Sequence, residues 1–289
     1  MDREKHLAYL RKGFLTGFPS SYISLDASRP WLVYWALQSF DLLGYELSQV
    51  ERVRTIETIK RFQNEIEGGF CGGDHEFTAH LSHLAPTYAS ILSIAILADP
   101  EAYNLINRPA LKSFLLRLKQ ADGSFRMHAI DGEIDVRAVY CAVVAGKLTG
   151  CWDEELEAGV VDWIAKCQTW EGGFAGVPGA EAHGGYTFCA VAVLKLLLSH
   201  KHNDITVALR SKINLDSLLY WLTSQQVQPL GGFRGRTHKL VDGCYSFWQA
   251  AGFDCLGKGN LIDSAALQRY VLAACQDEQK GGLRDKPGK

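Results

Sequence analysis

The sequence is short of the features that mark membrane, secreted and nucleic-acid-binding proteins. Its 30 Lys and Arg residues are balanced by 32 Asp and Glu, so it has no basic surplus for nucleic acid. The apolar stretch from Leu84 to Ala98 is interrupted by Pro86 and is shorter than the roughly 18 residues of a membrane span. The N-terminus, MDREKHLAYL, has no apolar signal segment. These absences predict a cytoplasmic protein without a membrane span or a nucleic-acid partner.

Paired cysteines are also missing. The chain has eight cysteines, but no two of them are spaced as C-x-x-C. Neither a disulfide framework nor a zinc finger is therefore predicted, and the thiols are expected to be reduced.

A glycine-containing turn followed by an apolar residue recurs along the whole chain. Its five copies are EGGF at 67–70, ADGSF at 121–125, EGGF at 171–174, LGGF at 230–233 and KGGL at 280–283. Equivalent glycines are 54, 50, 59 and 50 residues apart. A period near fifty residues indicates a repeat architecture, and we predict one domain over residues 1–289.

Each repeat has two helical segments of different character. Before the turn, apolar residues follow the one-sided spacing of an exposed helix, as at 111, 114, 115 and 118 and at 215, 218, 219 and 222. After the turn, the segments 31–43, 85–98, 138–145 and 188–198 are apolar on nearly all sides and should be buried. Strands are the competing interpretation, but segment length and abundant Ala favour helices.

The sequence thus predicts an all-α protein, an α/α barrel of helical hairpins with an outer and an inner ring. Five inner helices are predicted, near residues 31, 86, 138, 187 and 245, where a sixth is expected. We therefore expect the barrel to be incomplete at its C-terminal end, with apolar faces exposed on the first and fifth inner helices.

Polar residues recur near the predicted starts of the inner helices. His183 and Asp242 each lie 10 residues after their turn glycine, and His83 and Arg137 each lie 14 residues after theirs. In a barrel these helix N-termini gather around one mouth, where free N–H groups and positive dipole ends favour an anion.

The densest group of chemically active residues is the segment 236–245, RTHKLVDGCY. Asp242 and Cys244 are a carboxylate and a thiol two residues apart, which suits zinc; the alternative is a capping Asp followed by a buried Cys. Cationic donors suited to a diphosphate share this end of the repeat, although each alone is typical of a solvated surface. These donors are His183, Arg236, Lys239 and Lys289.

Aromatic residues occupy the same part of each repeat. Core packing would explain them, and so would an aromatic-walled pocket for an apolar tail with an anionic head, such as a prenyl diphosphate. They are Trp31, Trp35, Tyr140, Tyr186, Tyr245, Phe247 and Trp248.

These motifs resemble the β subunits of protein prenyltransferases, and among them the farnesyl-transferring type. The resemblance rests on DASRPWLVYW (26–35), HLAPTYAS (83–90), DGEIDVRAVYCA (131–142), CQTWEGGFAGVPGAEAHGGYTFC (167–189), GGFRGRTHKLVDGCYSFWQA (231–250) and GGLRDKPGK (281–289). It implies an α/α barrel that joins an α subunit in a heterodimer. It also implies farnesyl transfer from farnesyl diphosphate to the cysteine of a C-terminal CaaX sequence, held on zinc as a thiolate.

The resemblance also implies residue roles. Zinc would be held by Asp242 and Cys244, and Arg236, Lys239 and Tyr245 would act at the reaction centre. Farnesyl diphosphate would be bound by Arg137, Tyr140, His183, Gly184, Gly185, Tyr186, Cys189, Gly235, Arg236, Lys239, Tyr245, Trp248 and Lys289. The CaaX peptide would contact Trp31, Trp35, His83, Glu133 and Arg137. Asp285 matches a carboxylate associated with Mg²⁺ at the diphosphate.

Two residues bear on the length of the prenyl chain. Trp31 resembles the farnesyl enzymes, in which its bulk shortens the pocket, whereas the geranylgeranyl enzymes have a smaller residue. Asp285 indicates the farnesyl type as well, because the type I geranylgeranyl enzymes have a lysine there. A geranylgeranyltransferase β subunit remains an alternative.

The sequence departs from the family in one respect. The family's third zinc ligand is a histidine beyond the D-K-P-G-K motif, with a tyrosine beside it, and the 289 residues contain neither. We expect a fragment, a partial gene model, a splice product or a degenerate subunit, unless His238 replaces the ligand.

Three further alternatives follow. The first is a non-catalytic product that binds only the α subunit or prenyl diphosphate. The second is a terpene cyclase, whose D-x-D-D acid motif is absent from the sequence. The third is a structural helical scaffold, which would not explain why cationic residues and a D-x-C pair share one mouth.

Overall fold

The computed structural model describes residues 1–74, 81–199 and 205–287. In these ranges the regular structure is helical, with isolated antiparallel bridges at the turns. The α-helices are α1 (Arg3–Thr16), α2 (Arg29–Leu42), α3 (Gln49–Phe62), α4 (Leu84–Leu97), α5 (Pro100–Asn104), α6 (Arg108–Leu118), α7 (Val136–Thr149), α8 (Glu154–Glu157), α9 (Val160–Lys166), α10 (Gly184–Leu198), α11 (Ile205–Arg210), α12 (Leu215–Ser224), α13 (Tyr245–Cys255) and α14 (Ser264–Tyr270). None of the helices in these ranges combines the length and apolarity that crossing a bilayer requires.

The helices form two concentric rings. Helices α2, α4, α7, α10 and α13 pack against one another in chain order as the inner ring. The helices that precede the glycine turns lie outside them together with α1; they are α3, α6, α9, α12 and α14. The predicted all-α barrel of helical hairpins is confirmed.

Burial separates the two kinds of helix as predicted. Ten of the fourteen residues of α4 are buried, on all sides of the helix, whereas α6 buries only Leu111, Phe114, Leu115 and Leu118. In α12 the buried face includes Trp221, while Leu219, predicted to lie in that face, is half-buried. The larger indole takes the core position because it packs against the turn at Gly173.

The first and last inner helices are less buried than those between them. On α2, Trp35 is 51% and Leu42 76% exposed, and on α13 Phe247 is 58% exposed. In the described residues the inner ring runs from α2 to α13, so these two helices lack the second inner neighbour that buries α4, α7 and α10.

A glutamine at the end of several outer helices connects neighbouring repeats. The amide of Gln168 donates from Nε2 to the carbonyls of Gly172 and Asn214, and its Oε1 accepts the Asn214 N–H. Gln226 bonds in the same way to Gly231 and Asp263. Because Asn214 and Asp263 cap the next outer helix, each glutamine fixes that helix against the preceding turn.

The glycine turns approach the next outer helix too closely for a side chain. At Gly172, with φ of +106°, an added Cβ would lie 2.2 Å from the Ser217 carbonyl oxygen of α12. At Gly281, with φ of +78°, it would lie 2.4 Å from the Lys5 carbonyl oxygen of α1. The Gly282 N–H also donates to Nδ1 of His6 at 2.9 Å, so the last turn closes the outer ring onto the first helix.

Candidate functional site

Four inner helices begin with a polar side chain that accepts the backbone N–H two residues further on. For α4, α7 and α10 these caps are His83, Asp135 and His183, and before α13 Asp242 accepts the Cys244 N–H. Each cap satisfies a donor that the helix itself leaves unpaired. The caps lie at the same end of the inner helices, as predicted for His83, His183 and Asp242.

His183 is held in one tautomer by its cap. Its Nδ1 accepts the Gly185 N–H at 3.0 Å, and burial, with the positive charge of Arg236, lowers the pKa of the ring. A neutral ring that accepts at Nδ1 carries its proton on Nε2. Nε2 lies 3.0 Å from the Tyr245 hydroxyl and donates to it, which leaves the phenol hydrogen to be donated to another group.

Close backbone contacts position Tyr245 beside His183. A Cβ at Gly235 would lie 2.0 Å from Cζ of Tyr245, so only glycine leaves room for the phenol ring. The Gly235 carbonyl accepts the Gly184 N–H at 2.8 Å, which joins the start of α10 to the segment before α13. Gly184, Gly185 and Gly235 are therefore brought together with His183 and Tyr245.

The two cationic residues of the segment 236–239 lie on the rim. Nη1 of Arg236 donates to Oε2 of Glu181 at 3.1 Å, and both side chains are about half-exposed. Lys239 is exposed, and its backbone N–H donates to the Arg236 carbonyl. Because exposed ion pairs are weak, Glu181 can release Arg236 to a ligand with higher charge.

Asp242 and Cys244 lie in the loop that leads into α13. Oδ1 of Asp242 accepts the Cys244 N–H at 3.1 Å, and Oδ2 is 3.4 Å from Nζ of Lys286. Partial desolvation of the sulfur and the neighbouring Asp242 carboxylate raise the pKa of the Cys244 thiol to about 12. The capping alternative is right for Asp242, but Cys244 is exposed rather than buried.

These two residues fit a zinc ion in donor chemistry. The Asp242 carboxylate disfavours the thiolate form of Cys244, and a divalent cation between the two groups would stabilise both in their ionised forms. The ammonium group of Lys286 supplies part of that positive charge beside Asp242. In the described part of the chain, no third His, Cys, Asp or Glu completes with them a group whose ligand atoms all lie within 4.8 Å of one another. His238 does not complete such a group either. It is exposed on the rim, with a φ of +63°.

The backbone of the segment 281–287 packs against the loop that contains Asp242 and Cys244. The Asp285 carbonyl accepts the Gly243 N–H at 2.5 Å, and the Asp285 side chain is exposed. Lys289, predicted to contact the diphosphate, lies outside the described residues.

Aromatic rings follow one another around the inner ring. Trp31 stacks on Trp35 and on Tyr88, at 5.6 Å between ring centroids in both pairs. Tyr88 and Tyr140 are 5.3 Å apart, and their hydroxyls lie within 3.2 Å. The series continues through Phe188, which contacts Tyr140, Phe247 and Trp248. It forms a wall from α2 to α13 that we call the aromatic wall.

Arg137 and Cys189 lie on α7 and α10, two of the helices that carry this wall. Nε of Arg137 donates to Oδ2 of Asp135 at 3.0 Å, and its guanidinium is 5.6 Å from the centre of the Tyr186 ring. Cys189 is buried in α10, and burial raises the pKa of its thiol well above the usual value. The Cys189 thiol is therefore unreactive.

Several residues at the mouth were not singled out from the sequence. Asp135 could have been found, because it precedes Arg137 by the same interval that separates His83 from Ala85. Glu181 and Lys286 carry no such signal, since their partners are 55 and 44 residues away. His128, whose ring stacks on His83 at 5.3 Å, lies in a different turn of the barrel.

A large cavity lies away from the helix caps described above. Its volume is about 930 Å³, and it is lined mainly by α1, the segment 17–25, α2 and α3. Of the predicted site residues, Trp35 lines it, which connects it to one end of the aromatic wall.

Comparison with known proteins shows which protein family has this fold. The chain belongs to the prenyltransferase family, because the family described as the prenyltransferase alpha-alpha toroid domain matches residues 1–289. The resemblance to protein prenyltransferase β subunits found in the sequence motifs is confirmed.

Individual relatives are farnesyltransferase and geranylgeranyltransferase subunits. The protein farnesyltransferase subunit beta of Schizosaccharomyces pombe is 43% identical over 99% of this chain and 73% of its own length. That of Pyricularia oryzae is 41% identical over all of this chain and 60% of its own length. The geranylgeranyl transferase type-1 subunit beta of Arabidopsis thaliana is 30% identical over 99% of this chain and 80% of its own length.

A solved structure has the same fold. Candida albicans protein geranylgeranyltransferase-I, complexed with GGPP, superposes with a TM-score of 0.85 at 23% identity, over 100% of this chain and 86% of that one. The chain spans 48% to 74% of the first four curated farnesyltransferase relatives.

Proposed function

We propose that this chain is the β subunit of a protein farnesyltransferase. Together with an α subunit, it transfers farnesyl from farnesyl diphosphate to the cysteine of a C-terminal CaaX sequence. The observation that supports this most is Tyr245, whose hydroxyl bonds to His183 while its backbone N–H bonds to Asp242. Tyr245 thus connects the residues proposed to bind the diphosphate with the residues proposed to hold zinc. The relatives named as subunits beta support the α partner.

The diphosphate binds at the rim beside the start of α10. Tyr245 has a phenol hydrogen to donate, and Arg236 and Lys239 supply positive charge that solvent still reaches. Negative charge grows on the leaving diphosphate as the bond from its oxygen to the allylic carbon breaks. Donors fixed in advance stabilise that charge more in the transition state than in the ground state.

Asp242 and Cys244 would hold the zinc ion, whose positive charge would favour the thiolate form of the incoming peptide's cysteine at neutral pH. Cys244 must give up its proton to bind the metal, so metal affinity increases with pH. Lys286 must leave Asp242. Asp285 is our candidate for Mg²⁺ at the diphosphate, with its backbone fixed by Gly243.

The farnesyl chain lies along the aromatic wall, and Trp31 limits its length. Trp31 is partly buried between Trp35 and Tyr88, so its removal opens space at one end of the wall. We expect Trp31→Thr to accept geranylgeranyl diphosphate at the expense of farnesyl diphosphate. An unchanged donor preference would place the limit at another residue and reopen the geranylgeranyltransferase alternative.

The peptide approaches from the side of α4 and α7. His83 caps α4, Arg137 lies in the first turn of α7, and Glu133 lies in the loop that joins α6 to α7. We assign to this group the reading of the peptide's C-terminal end. Trp31 and Trp35 are our candidates for contacts to its aliphatic residues.

The experiment is a transfer assay with the chain co-expressed with a farnesyltransferase α subunit. Farnesyl transfer to a CaaX-ending peptide is expected, and Arg236→Ala or Lys239→Ala should slow transfer more than it weakens peptide binding. A defect confined to peptide affinity would contradict the assigned roles.

A second candidate function is a non-catalytic subunit that binds only the α subunit or prenyl diphosphate. It is favoured by the lack, among the described residues, of a third ligand beside Asp242 and Cys244. Zinc stoichiometry separates the two functions, since near-full occupancy supports the enzyme. Diphosphate binding without zinc and without transfer supports the second candidate.

A further inference from the structure

A second histidine faces the part of the mouth that we assign to the peptide's C-terminal end. The ring of His128 lies 5.3 Å from the ring of His83, measured between centroids. Nε2 of His128 is 4.0 Å from Oε2 of Glu133, which is too long for a hydrogen bond. Its Nδ1 is buried without a hydrogen-bond partner among the described residues. His128 therefore has hydrogen-bonding capacity that these residues leave unused.

Backbone contacts fix His128 at this place. The Leu84 N–H, at the start of α4, donates to the Met127 carbonyl at 2.8 Å, and the Met127 N–H donates to the Glu133 carbonyl at 2.9 Å. Gly132 closes the loop so tightly that an added Cβ would lie 2.4 Å from the His128 carbonyl oxygen. The imidazole therefore projects from a backbone that is joined to α4 and to Glu133 before any ligand arrives.

The groups that face His128 leave this side of the mouth with excess negative charge. Burial and the neighbouring His128 lower the pKa of His83 to about 4, so the His83 ring is neutral near pH 7. The charge of Arg137 is balanced by Asp135, whose Oδ2 accepts from Nε of Arg137 at 3.0 Å. Among the described residues, His128 is the one basic side chain within 4.0 Å of the Glu133 carboxylate.

The loop of His128 itself adds two charged groups, Arg126 and Asp131. Nε of Arg126 donates to Oε1 of Gln120 and its Nη1 donates to the Gly132 carbonyl, both at 3.4 Å. Asp131 is exposed to solvent. Neither group supplies a cation that could balance a further carboxylate beside Glu133.

A peptide that ends here brings such a carboxylate. Two negative charges near one imidazole favour its protonated form, and histidine is the side chain that changes charge between about pH 5 and 8. An imidazolium carries a hydrogen on both nitrogens, so Nε2 of His128 then donates whichever tautomer precedes it.

We propose that His128 takes up a proton when the peptide's C-terminal carboxylate binds, and so becomes the cation that balances this carboxylate and Glu133. The inference rests on the proposed function, because it requires a peptide that ends beside α4 and α7. The proton comes from solvent onto a ring nitrogen, and no other bond forms or breaks. His128 is thereby a specificity-determining residue, which favours a free carboxylate over an amide.

The test uses the chain co-expressed with a farnesyltransferase α subunit, with farnesyl diphosphate bound. Two peptides are compared, one with a free C-terminal carboxylate and one with a C-terminal amide. Both carry Ser in place of the CaaX cysteine, so that neither transfer nor a thiol proton contributes. Titration calorimetry at pH 7 in two buffers of different ionisation enthalpy gives the protons taken up. The carboxylate peptide should take up roughly 0.3 to 0.5 proton more than the amide.

The variant His128→Gln should remove this difference. With the cysteine-containing peptide, it should raise KM about 3- to 10-fold and change kcat less than twofold, because it weakens a hydrogen bond to a charged group. The matched control is His238→Gln, whose side chain is exposed on the rim, and it should keep the wild-type difference in proton uptake. The comparison of the two peptides on the unaltered complex needs no variant, so misfolding cannot account for it.

Equal proton uptake with the two peptides on the unaltered complex would overturn the proposal, and so would a difference that persists in folded His128→Gln. Farnesyl transfer to the cysteine-containing peptide, measured on the same preparation, tests the proposed function separately. Normal transfer with equal uptake would refute the role of His128 and leave the farnesyltransferase assignment in place. Absence of both peptide binding and transfer would refute both.

Discussion

His83 and His183 have nearly the same local structure and different surroundings. Their backbone angles are −141°, 139° and −143°, 137°, and each accepts the second N–H of its helix at Nδ1. His83 faces His128, near Glu133, whereas His183 faces Tyr245, near Arg236. The shared cap fixes the tautomer of both rings, and the neighbouring side chains give each ring a different electrostatic environment. His183 lies on the side of the mouth that we assign to the diphosphate, the anion side, and His83 lies on the side that we assign to the peptide.

The largest expected effect is on diphosphate affinity. His183→Ala removes the donor that positions the Tyr245 hydroxyl, so farnesyl diphosphate should bind about 10- to 100-fold more weakly, as expected for a hydrogen bond to a charged group. His83→Ala should change that affinity less than twofold. Calorimetric titration of both variants measures the difference, and equal losses would remove the distinction between the two sides.

Acid stability should depend on His83 in particular. Its folded-state pKa is about 4, below the ordinary 6.5, so the unfolded chain binds a proton that the folded chain does not. This contribution is fully present above about pH 6.5 and is lost as the pH falls toward 4, by about 1 to 2 kcal/mol at pH 5. Urea unfolding from pH 7 to 5 measures it.

The variant for this experiment is His83→Asn, which keeps a capping side chain but has no titrating ring. Its stability should fall less over the same pH interval. A wild-type pH slope in His83→Asn would show that other groups control the acid response.

Tyr245→Phe should sharpen the anion side of the comparison. It keeps the ring that fills the space above Gly235 but removes the phenol hydrogen. We expect farnesyl diphosphate affinity to fall about 5- to 10-fold, with the thermal midpoint nearly unchanged. A large loss of stability with no loss of affinity would mean that the hydroxyl has only a structural role.

The smallest expected effect is the loss of unfolding free energy when the capping side chain of α4 or α10 is removed. His83→Ala and His183→Ala should each lose about 1 kcal/mol of unfolding free energy, and Asn at either position should restore most of it. Denaturant unfolding of the four variants tests this. If Asn fails at both positions, the ring packing and not the cap stabilises these helices.

The repeat spacing predicted the rings and the helix starts because both follow from local pattern. Apolar periodicity identifies the inner helices, and recurring polar residues mark where they begin, as at His83 and His183. The same reasoning predicted the exposed faces of α2 and α13 from the number of inner helices.

What the sequence could not provide were contacts between repeats. Glu181 meets Arg236, and Lys286 meets Asp242, only because the barrel brings distant turns together. Neither pairing has a characteristic spacing. His128 was missed for the same reason, since two backbone bonds of Met127 place it beside His83 and Glu133.

Crossed titrations of zinc and farnesyl diphosphate test most directly whether one mouth holds two adjacent, separate sites. Cys244→Ala should abolish zinc binding at the thiolate site and keep diphosphate affinity within about twofold, whereas Arg236→Ala should weaken diphosphate binding at least about fivefold and keep the zinc. If each variant loses both ligands to the same extent, the division of the mouth described here is wrong.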